Sequence, residues 1–238
     1  EVSALQRAAK GFVTCMAFSS TSQRLCTVTV GPKNFTVAVY TDVSESVDWS
    51  STSLLAKQVV GSDPVLCCKF LGKASSSLGF DLFTGGQSLP FFWKQSGQSL
   101  AATRGLFDRA AKRQPQLCAE ILGDALITGT ANGNIYMWEG SRVARVVPAH
   151  RSMIASMHAI DCEKLVTGSR DGVVKVWDRT LECIRTFDLK QAAPGSLVMQ
   201  LRAVRFNSAL TKVVVGTAAC ELYEICYTSG STTLLTEG

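Results

Sequence analysis

An internal repeat constrains the fold of this chain more than any other feature of its sequence. Residues 128–138 (TGTANGNIYMW) and 167–177 (TGSRDGVVKVW) align without a gap at an offset of 39 residues. The glycine of each Thr-Gly pair and the final tryptophan occupy the same places in both segments. Self-similarity of this kind predicts a chain of similar units, each of which buries its apolar face against the next.

Three further segments are degenerate copies of the same pattern. Residues 215–225 (VGTAACELYEI) place Ile225 in the tryptophan position, and 84–93 (TGGQSLPFFW) is one residue shorter. Residues 24–40 have the same strand–turn–strand pattern, with Tyr40 in that position. Five copies in 238 residues give about 48 residues per repeat.

Each repeat is predicted to form four short strands. Apolar runs rich in Val, Ile, Thr and aromatic residues lie before and after every repeated core. Asn132-Gly133 and Asp171-Gly172 are strong hairpin signals, because glycine readily adopts the positive φ that primed turns require. Four strands per repeat of this length is the pattern of an all-β β-propeller, here with about five four-stranded blades.

The expected boundaries follow from these repeats. Residues 1–238 are predicted to form one propeller segment, with a basic connecting loop at 104–114 in which a single helical turn is also expected. An open fragment of five blades would leave two strand edges unpaired, so we expect part of a larger propeller, seven-bladed or tandem. A closed five-bladed ring is the alternative. The expected blades are 9–60, 61–104, 114–148, 149–189 and 196–238.

A set of polar residues distinguishes the fourth repeat. His150, Thr167, Asp171 and Trp177 have a spacing that resembles the structural tetrad of WD repeats, and Trp177-Asp178 is the WD dipeptide. In that tetrad the histidine bridges the aspartate and the threonine hydroxyl, which contacts the indole N–H. Such a network would pair polar groups that are buried. The resemblance implies a structural role, and a pH switch at His150 is the alternative.

The tryptophan and glycine positions that recur from repeat to repeat are also expected to build the blade cores. The tryptophan provides a large apolar surface between neighbouring blades, and the glycine lies where the chain turns tightly. The predicted blade-core residues are Trp93, Trp138, Trp177, Gly129, Gly168 and Gly216.

A second resemblance involves the segment after the second core. FFWKQSGQSLAATRGLF (91–107) resembles a segment that follows a blade in the echinoderm microtubule-associated protein-like (EMAP-like) family, with its Arg-Gly-apolar-Phe run at 104–107. Similar stretches cover nearly the whole chain. The resemblance implies a non-enzymatic WD-repeat scaffold that binds tubulin or microtubules and other cytoskeletal or axonemal proteins. It also implies a place on the microtubule cytoskeleton of the cytoplasm, with a cilium or flagellum axoneme as one location.

Charge gives this interpretation a physical basis. The chain carries 24 Lys and Arg against 19 Asp and Glu, a net charge of +5. Arg104, Arg109, Lys112 and Arg113 lie within ten residues, and Asp108 is the one acidic residue among them. These residues are candidates for docking to an acidic surface such as that of tubulin, and an ordinary solvated surface is the alternative.

Two aromatic residues are candidates for exposed anchors in this contact. Phe107 ends the Arg-Gly-apolar-Phe run, and Trp49 lies in a Ser- and Asp-rich segment outside the strand pattern. Aromatic side chains on loop tips often contribute strongly to interfaces. For Trp49 the alternative is that it covers its own blade.

Several other classes of function find no support in the sequence. The chain has only two histidines, no closely spaced ligand pairs for zinc, and no Lys-Ser/Thr P-loop. We therefore expect no catalytic residues, no metal and no cofactor. No apolar run is long enough to span a membrane, and the first residues lack the basic and apolar regions of a signal peptide, so we expect neither. Aromatic residues do not alternate with the basic ones as in nucleic-acid grooves, so we expect no nucleic-acid partner.

The alternative function is a generic WD-repeat scaffold without tubulin affinity. Such a protein would act as an adaptor in a ligase or signalling complex and would present a peptide groove. Fold class alone does not separate the two functions.

Overall fold

The computed structural model describes residues 12–42, 52–72, 79–109, 111–160, 163–192 and 199–236. These residues form twenty strands and one short helix, α1 (Leu189–Ala192). The strands are β1 (Phe12–Phe18), β2 (Arg24–Val30), β3 (Phe35–Asp42), β4 (Thr52–Gly61), β5 (Val65–Phe70), β6 (Leu82–Gly86), β7 (Phe91–Ser96), β8 (Ser99–Arg104), β9 (Gln116–Leu122), β10 (Ala125–Thr130), β11 (Asn134–Glu139), β12 (Arg142–Pro148), β13 (Ile154–Ile160), β14 (Lys164–Ser169), β15 (Val173–Trp177), β16 (Cys183–Asp188), β17 (Leu201–Phe206), β18 (Lys212–Thr217), β19 (Leu222–Cys226) and β20 (Thr232–Thr236).

The strands assemble into five sheets of four consecutive strands each. In every sheet the strands are ordered as they follow one another in the chain, so that successive strands are joined by hairpins. We call the sheets blades 1 to 5 in chain order, and the strands of each blade a to d. This architecture confirms the predicted all-β propeller class.

Glycines at positive φ form the hairpins that the sequence indicated. Gly133 and Gly172, which join strands b and c in blades 3 and 4, have φ values of 85° and 86°. A Cβ atom on Gly133 would also collide with the carbonyl oxygens of His150 and Ser152. Both the positive φ of the turn and the lack of space for a side chain therefore require glycine at position 133.

The chain divides into two compact units. The first comprises Glu1–Gln116 and Glu139–Val143, and the second comprises Leu117–Trp138 and Ala144–Gly238. In the first unit, blades 1 and 2 share a core in which Cys26, Val28 and Val37 meet Leu82 and Trp93.

Three of the chain's cysteines are buried in or beside this core of the first unit. They are Cys26, Cys67 and Cys68. Burial raises the pKa of the Cys67 thiol above its ordinary value, as expected for a cysteine that acts as a small apolar side chain.

Within the second unit, strand a of blades 4 and 5 packs against strand b of the blade before it. The position of a Cβ on Gly129 lies 2.8 Å from Cγ2 of Ile154 in the next blade. A Cβ at the equivalent position on Gly168 would collide with Cγ1 of Val204. Because there is no room for a side chain at either place, glycine after the strand-b threonine allows neighbouring blades to approach closely.

Gly216 of blade 5 differs from these two glycines. Its Cβ position lies 3.6 Å from Leu222 and 3.8 Å from Ala203, which both belong to its own blade and are at ordinary contact distance. The close approach that requires glycine at Gly129 and Gly168 is not present among the described residues around Gly216.

Strand β1 is exposed at a position that is buried in three other blades. Equivalent positions of strand a can be identified from a bulge, which follows Val13, Val65, Ile154 and Leu201 in four of the blades. Val65, Ile154 and Leu201 are buried, whereas Val13 is 45% exposed. In blade 1 the face of β1 is therefore apolar but lacks the neighbour that covers its counterparts within the described residues.

The connection at 104–114 contains no helix in its described part, so the helical turn expected there was wrong. Leu106 instead forms an isolated parallel bridge with Arg142. Its N–H donates to the Ser141 carbonyl at 2.7 Å, and its own carbonyl accepts from Val143 N–H at 3.0 Å. These long-range hydrogen bonds hold the backbone extended at Leu106. Further along, Ala111 N–H donates to the Asp108 carbonyl at 2.9 Å, which closes a single turn and not a helix.

Two methionines at equivalent positions of strand a test this description of the packing. Met16 is 60% exposed and Met157 is 7% exposed. We expect Met157→Ala to lower the free energy of unfolding by about 2–4 kcal/mol, because it leaves a cavity, and Met16→Ala to change it by less than about 0.5 kcal/mol. Urea unfolding of the two variants measures the difference, and similar losses for both would show that β1 is covered in solution.

Candidate functional site

The four predicted tetrad residues lie together in blade 4. His150 precedes strand a, Thr167 is on β14, Asp171 is in the b–c turn and Trp177 ends β15. The Trp177 indole Nε1 donates to Thr167 Oγ1 at 2.9 Å, and His150 Nε2 lies 2.8 Å from the same oxygen. Thr167 and the His150 side chain are fully buried, so these contacts pair groups that have lost water.

Asp171 is held by backbone amides more tightly than by the histidine. Its carboxylate accepts from Val173 N–H at 3.1 Å and from Arg151 N–H at 3.0 Å. His150 Nδ1 lies 3.7 Å from Asp171 Oδ1, beyond hydrogen-bond length, and has no hydrogen-bond partner among the described residues. Burial raises the pKa of Asp171, but His150 and the backbone amide of Val173 outweigh it, so the pKa lies well below its usual range.

The threonine–tryptophan hydrogen bond also occurs in blades 2 and 3, where the other tetrad members are absent from the sequence pattern. Trp93 Nε1 donates to Thr84 Oγ1 at 2.9 Å, and Trp138 Nε1 donates to Thr128 Oγ1 at 2.8 Å. All three tryptophans predicted for the blade cores are buried. The sequence analysis did not single out Thr84 and Thr128, although the Thr-Gly dipeptide before each core marks them.

Blades 1 and 5 complete this pair of positions with different residues. In blade 1, Tyr40 occupies the tryptophan position and hydrogen-bonds Thr27 on β2. Burial raises the pKa of the Tyr40 phenol, and the bond to Thr27 offsets part of that rise. In blade 5, Val215 and Ile225 replace the threonine and the tryptophan, and both are fully buried. The two positions are thus both polar or both apolar, which avoids an unpaired buried group.

The basic residues predicted to contact a partner are exposed. Arg104 ends β8, and Arg109, Lys112 and Arg113 lie in the connection to β9. Asp108, the acidic residue among them, is engaged by Arg142, whose Nη1 lies 2.6 Å from its Oδ1. The one negative charge in the run is thus paired with a cation from outside it.

One of the two aromatic anchor candidates lies among the described residues. Phe107 is partly exposed, and its role as an anchor for a partner stays a prediction. The neighbouring Leu106 side chain is 47% exposed. Trp49 lies outside the described residues.

The described part of the chain was also searched for metal sites and for membrane-spanning helices. No group of three or more His, Cys, Asp or Glu side chains in these ranges is arranged to hold a metal ion. Among the same residues, no helix is long and apolar enough to cross a membrane.

Comparison with known protein families identifies the repeat. The family described as "WD domain, G-beta repeat" matches residues 141–178. This match spans β12, the last strand of blade 3, and β13 to β15 of blade 4, so the sequence repeat is offset by one strand from the structural blade.

Comparison with individual proteins narrows the relationship. Echinoderm microtubule-associated protein-like 2 of Mus musculus is 30% identical over 172 residues, which are 69% of this chain and 25% of that protein. The Homo sapiens protein of the same name is 36% identical over 101 residues, 40% of this chain and 16% of that protein. The 77 kDa echinoderm microtubule-associated protein of Lytechinus variegatus is 27% identical over 150 residues, 61% of this chain and 22% of that protein.

The chain is a WD-repeat protein of the EMAP-like family. It spans about a quarter or less of the length of these curated relatives. Other matching proteins have names that do not refer to microtubules.

Among the described residues of this WD-repeat protein, the Cys226 thiol lies beside side-chain hydroxyl groups. Cys226 ends β19, and its Sγ lies 3.3 Å from the Thr228 hydroxyl in the following turn. Hydrogen bonds from Ser229 and Thr228 stabilise the thiolate and lower the pKa of Cys226 to about 6. Cys226 was not predicted from the sequence as a reactive residue.

Because the two positions of the blade core are either both polar or both apolar, we expect isosteric Thr/Val substitutions to be destabilising in both directions. Thr84→Val leaves the Trp93 indole N–H without an acceptor, and Val215→Thr places a hydroxyl in an apolar site. We therefore expect both substitutions to lower the free energy of unfolding, each by about 1–3 kcal/mol. Chemical denaturation measures both effects. A stabilised Thr84→Val variant would show that the hydrogen bond contributes nothing.

Alkylation of Cys226 tests the lowered thiol pKa. A group whose pKa is depressed remains ionised at lower pH, so its reaction with iodoacetamide should reach half its maximal rate near pH 6. Mass spectrometry of peptides measures the rate, with the exposed Cys183 and Cys220 as comparisons in the same sample. In a Thr228→Val/Ser229→Ala variant the midpoint should rise towards the ordinary thiol value, and an unchanged midpoint would contradict the assigned cause.

Proposed function

We propose that this chain is part of a non-enzymatic scaffold that binds tubulin or microtubules. The names of the three relatives described above refer to microtubule association, and the chain matches these proteins over 40–69% of its length. The proposed place of action is the microtubule cytoskeleton of the cytoplasm. Those names do not refer to a cilium or axoneme, so we do not extend the proposal to one.

The observation that carries the proposal is the unbalanced charge of the 104–113 connection. Arg104, Arg109 and Arg113 are exposed and have no ion pair or side-chain hydrogen bond among the described residues. Asp108 does not neutralise them, because Arg142 already pairs with it. An acidic surface, such as the acidic tails of tubulin, would therefore meet available positive charge.

The described geometry favours a structural rather than a catalytic use of the histidine–aspartate pair. The His150 side chain is fully buried, and its Nε2 is occupied by Thr167 Oγ1. The Asp171 carboxylate is already bonded by two backbone amides. A catalytic base needs access to a substrate proton, and in this pair the imidazole side chain is fully buried.

A generic WD-repeat scaffold remains the second candidate. The specific observation in its favour is that some matching proteins, at 29–30% identity, have names without reference to microtubules. Such a scaffold would act as an adaptor in a ligase or signalling complex and would not bind tubulin.

Co-sedimentation with stabilised microtubules over a series of salt concentrations separates the two candidates. We expect the protein to pellet at low salt and to dissociate as salt screens the exposed charges. Arg109→Glu/Arg113→Glu should weaken binding about tenfold, because two attractive contacts become repulsive.

Arg202→Glu/Arg205→Glu is the matched control. It makes the same charge change at two exposed positions of β17, and it should leave binding within about twofold of the starting protein. Equal loss in both variants would indicate a non-specific charge effect. Absence of pelleting at low salt by folded protein would exclude direct lattice binding and favour the generic scaffold.

A further inference from the structure

An open cavity of about 730 Å³ lies beside the tetrad in blade 4. It is formed by the connection from β12 to β13, the b–c turn, β15, β16 and helix α1, all within the second unit. Its volume is in the range of small-molecule and peptide sites, roughly 300–1,000 Å³. The lining residues that bear on its chemistry are Arg151, Lys175, Lys190, Asp171, Asp188 and Thr186.

Three cations line this cavity, and none of them has a carboxylate partner. The Arg151 and Lys190 side chains are exposed and form no ion pair or hydrogen bond among the described residues. Lys175 lies deeper, where its Nζ donates to the Ala149 carbonyl at 2.6 Å and lies 5.7 Å from the centre of the Trp177 ring. An ammonium group has three donors, so Lys175 can bond a ligand without losing its anchor.

The two carboxylates in the lining already accept hydrogen bonds, and the donors are not the three cationic side chains. Asp171 accepts from the backbone amides of Arg151 and Val173. Asp188 accepts from the backbone amide of Lys190 at 3.0 Å and from Gln191 Nε2 at 3.3 Å. Counting Arg151, Lys175 and Lys190 against Asp171 and Asp188 leaves these five side chains with one net positive charge, which a single carboxylate would balance.

We propose that this cavity binds a carboxylate side chain from an acidic peptide segment of a protein partner. Arg151 and Lys190 would hold the carboxylate at the rim, Lys175 would reach it from the floor, and the exposed Thr186 hydroxyl would bond the adjoining backbone. The site uses none of the residues assigned to the microtubule contact, and it does not require the partner to be tubulin.

The lining favours a carboxylate over a nucleic acid. The lining contains no Phe, Tyr or Trp, and the side chain of its one histidine, His150, is fully buried, so no ring is available on which a base could stack.

Isothermal titration calorimetry of the whole chain with an octaglutamate peptide tests the proposal. We expect saturable binding at low salt, no binding of octaglutamine, and an affinity about tenfold lower in Arg151→Glu/Lys190→Glu. Lys175→Met, which removes the deep ammonium while retaining an apolar stem, should also weaken binding.

Two further variants separate this site from other positive surfaces. Arg202→Glu/Arg205→Glu makes the same charge change elsewhere in the second unit, and Arg109→Glu/Arg113→Glu alters the microtubule connection; both should retain binding at the cavity. Failure of microtubule pelleting leaves this experiment unaffected. Equal loss in all three double variants, no binding of octaglutamate by the unaltered chain, or tighter binding of an oligothymidylate that competes with it would each overturn the proposal.

Discussion

The blades depend on one buried contact between the side chains of strands b and c. A threonine hydroxyl accepts from the indole N–H of a tryptophan in blades 2, 3 and 4, at 2.8–2.9 Å. The two residues lie diagonally across the strand pair, since Thr167 faces Lys175 while Trp177 faces Leu165. This contact allows a large aromatic ring to be buried without an unpaired polar atom. Blade 5 solves the same problem by making both positions apolar, with Val215 and Ile225.

The contact between blades follows from the same short segment. The residue after the threonine is glycine, and at Gly129 and Gly168 the side chains of Ile154 and Val204 fill the space where a Cβ would lie. Thr-Gly therefore serves two interfaces at once, because threonine completes its own blade and glycine admits the next one. In blade 4 the tetrad histidine adds a third connection, because His150, which precedes strand a, contacts Thr167 on strand b.

How much could be predicted from the sequence depended on the range of each interaction. The repeat, the strands and the hairpin glycines are local, so their periodicity and turn chemistry indicated an all-β propeller. The backbone conformation at Leu106 is set by hydrogen bonds to Ser141 and Val143, far along the chain, and the predicted helical turn was wrong for this reason. The cavity of blade 4 was not predicted either, since it joins Arg151 and Lys190 from separate connections whose proximity no sequence pattern records.

The three buried tryptophans give the protein its own optical reporters. Trp93 lies in the first compact unit, whereas Trp138 and Trp177 lie in the second, and each indole N–H is bonded to a threonine. Indole emission shifts to longer wavelength when the ring meets water, so variants that retain only one of these tryptophans would report when a particular blade opens. The fluorescence of such variants would reveal whether the two units unfold together or in sequence, without any attached dye.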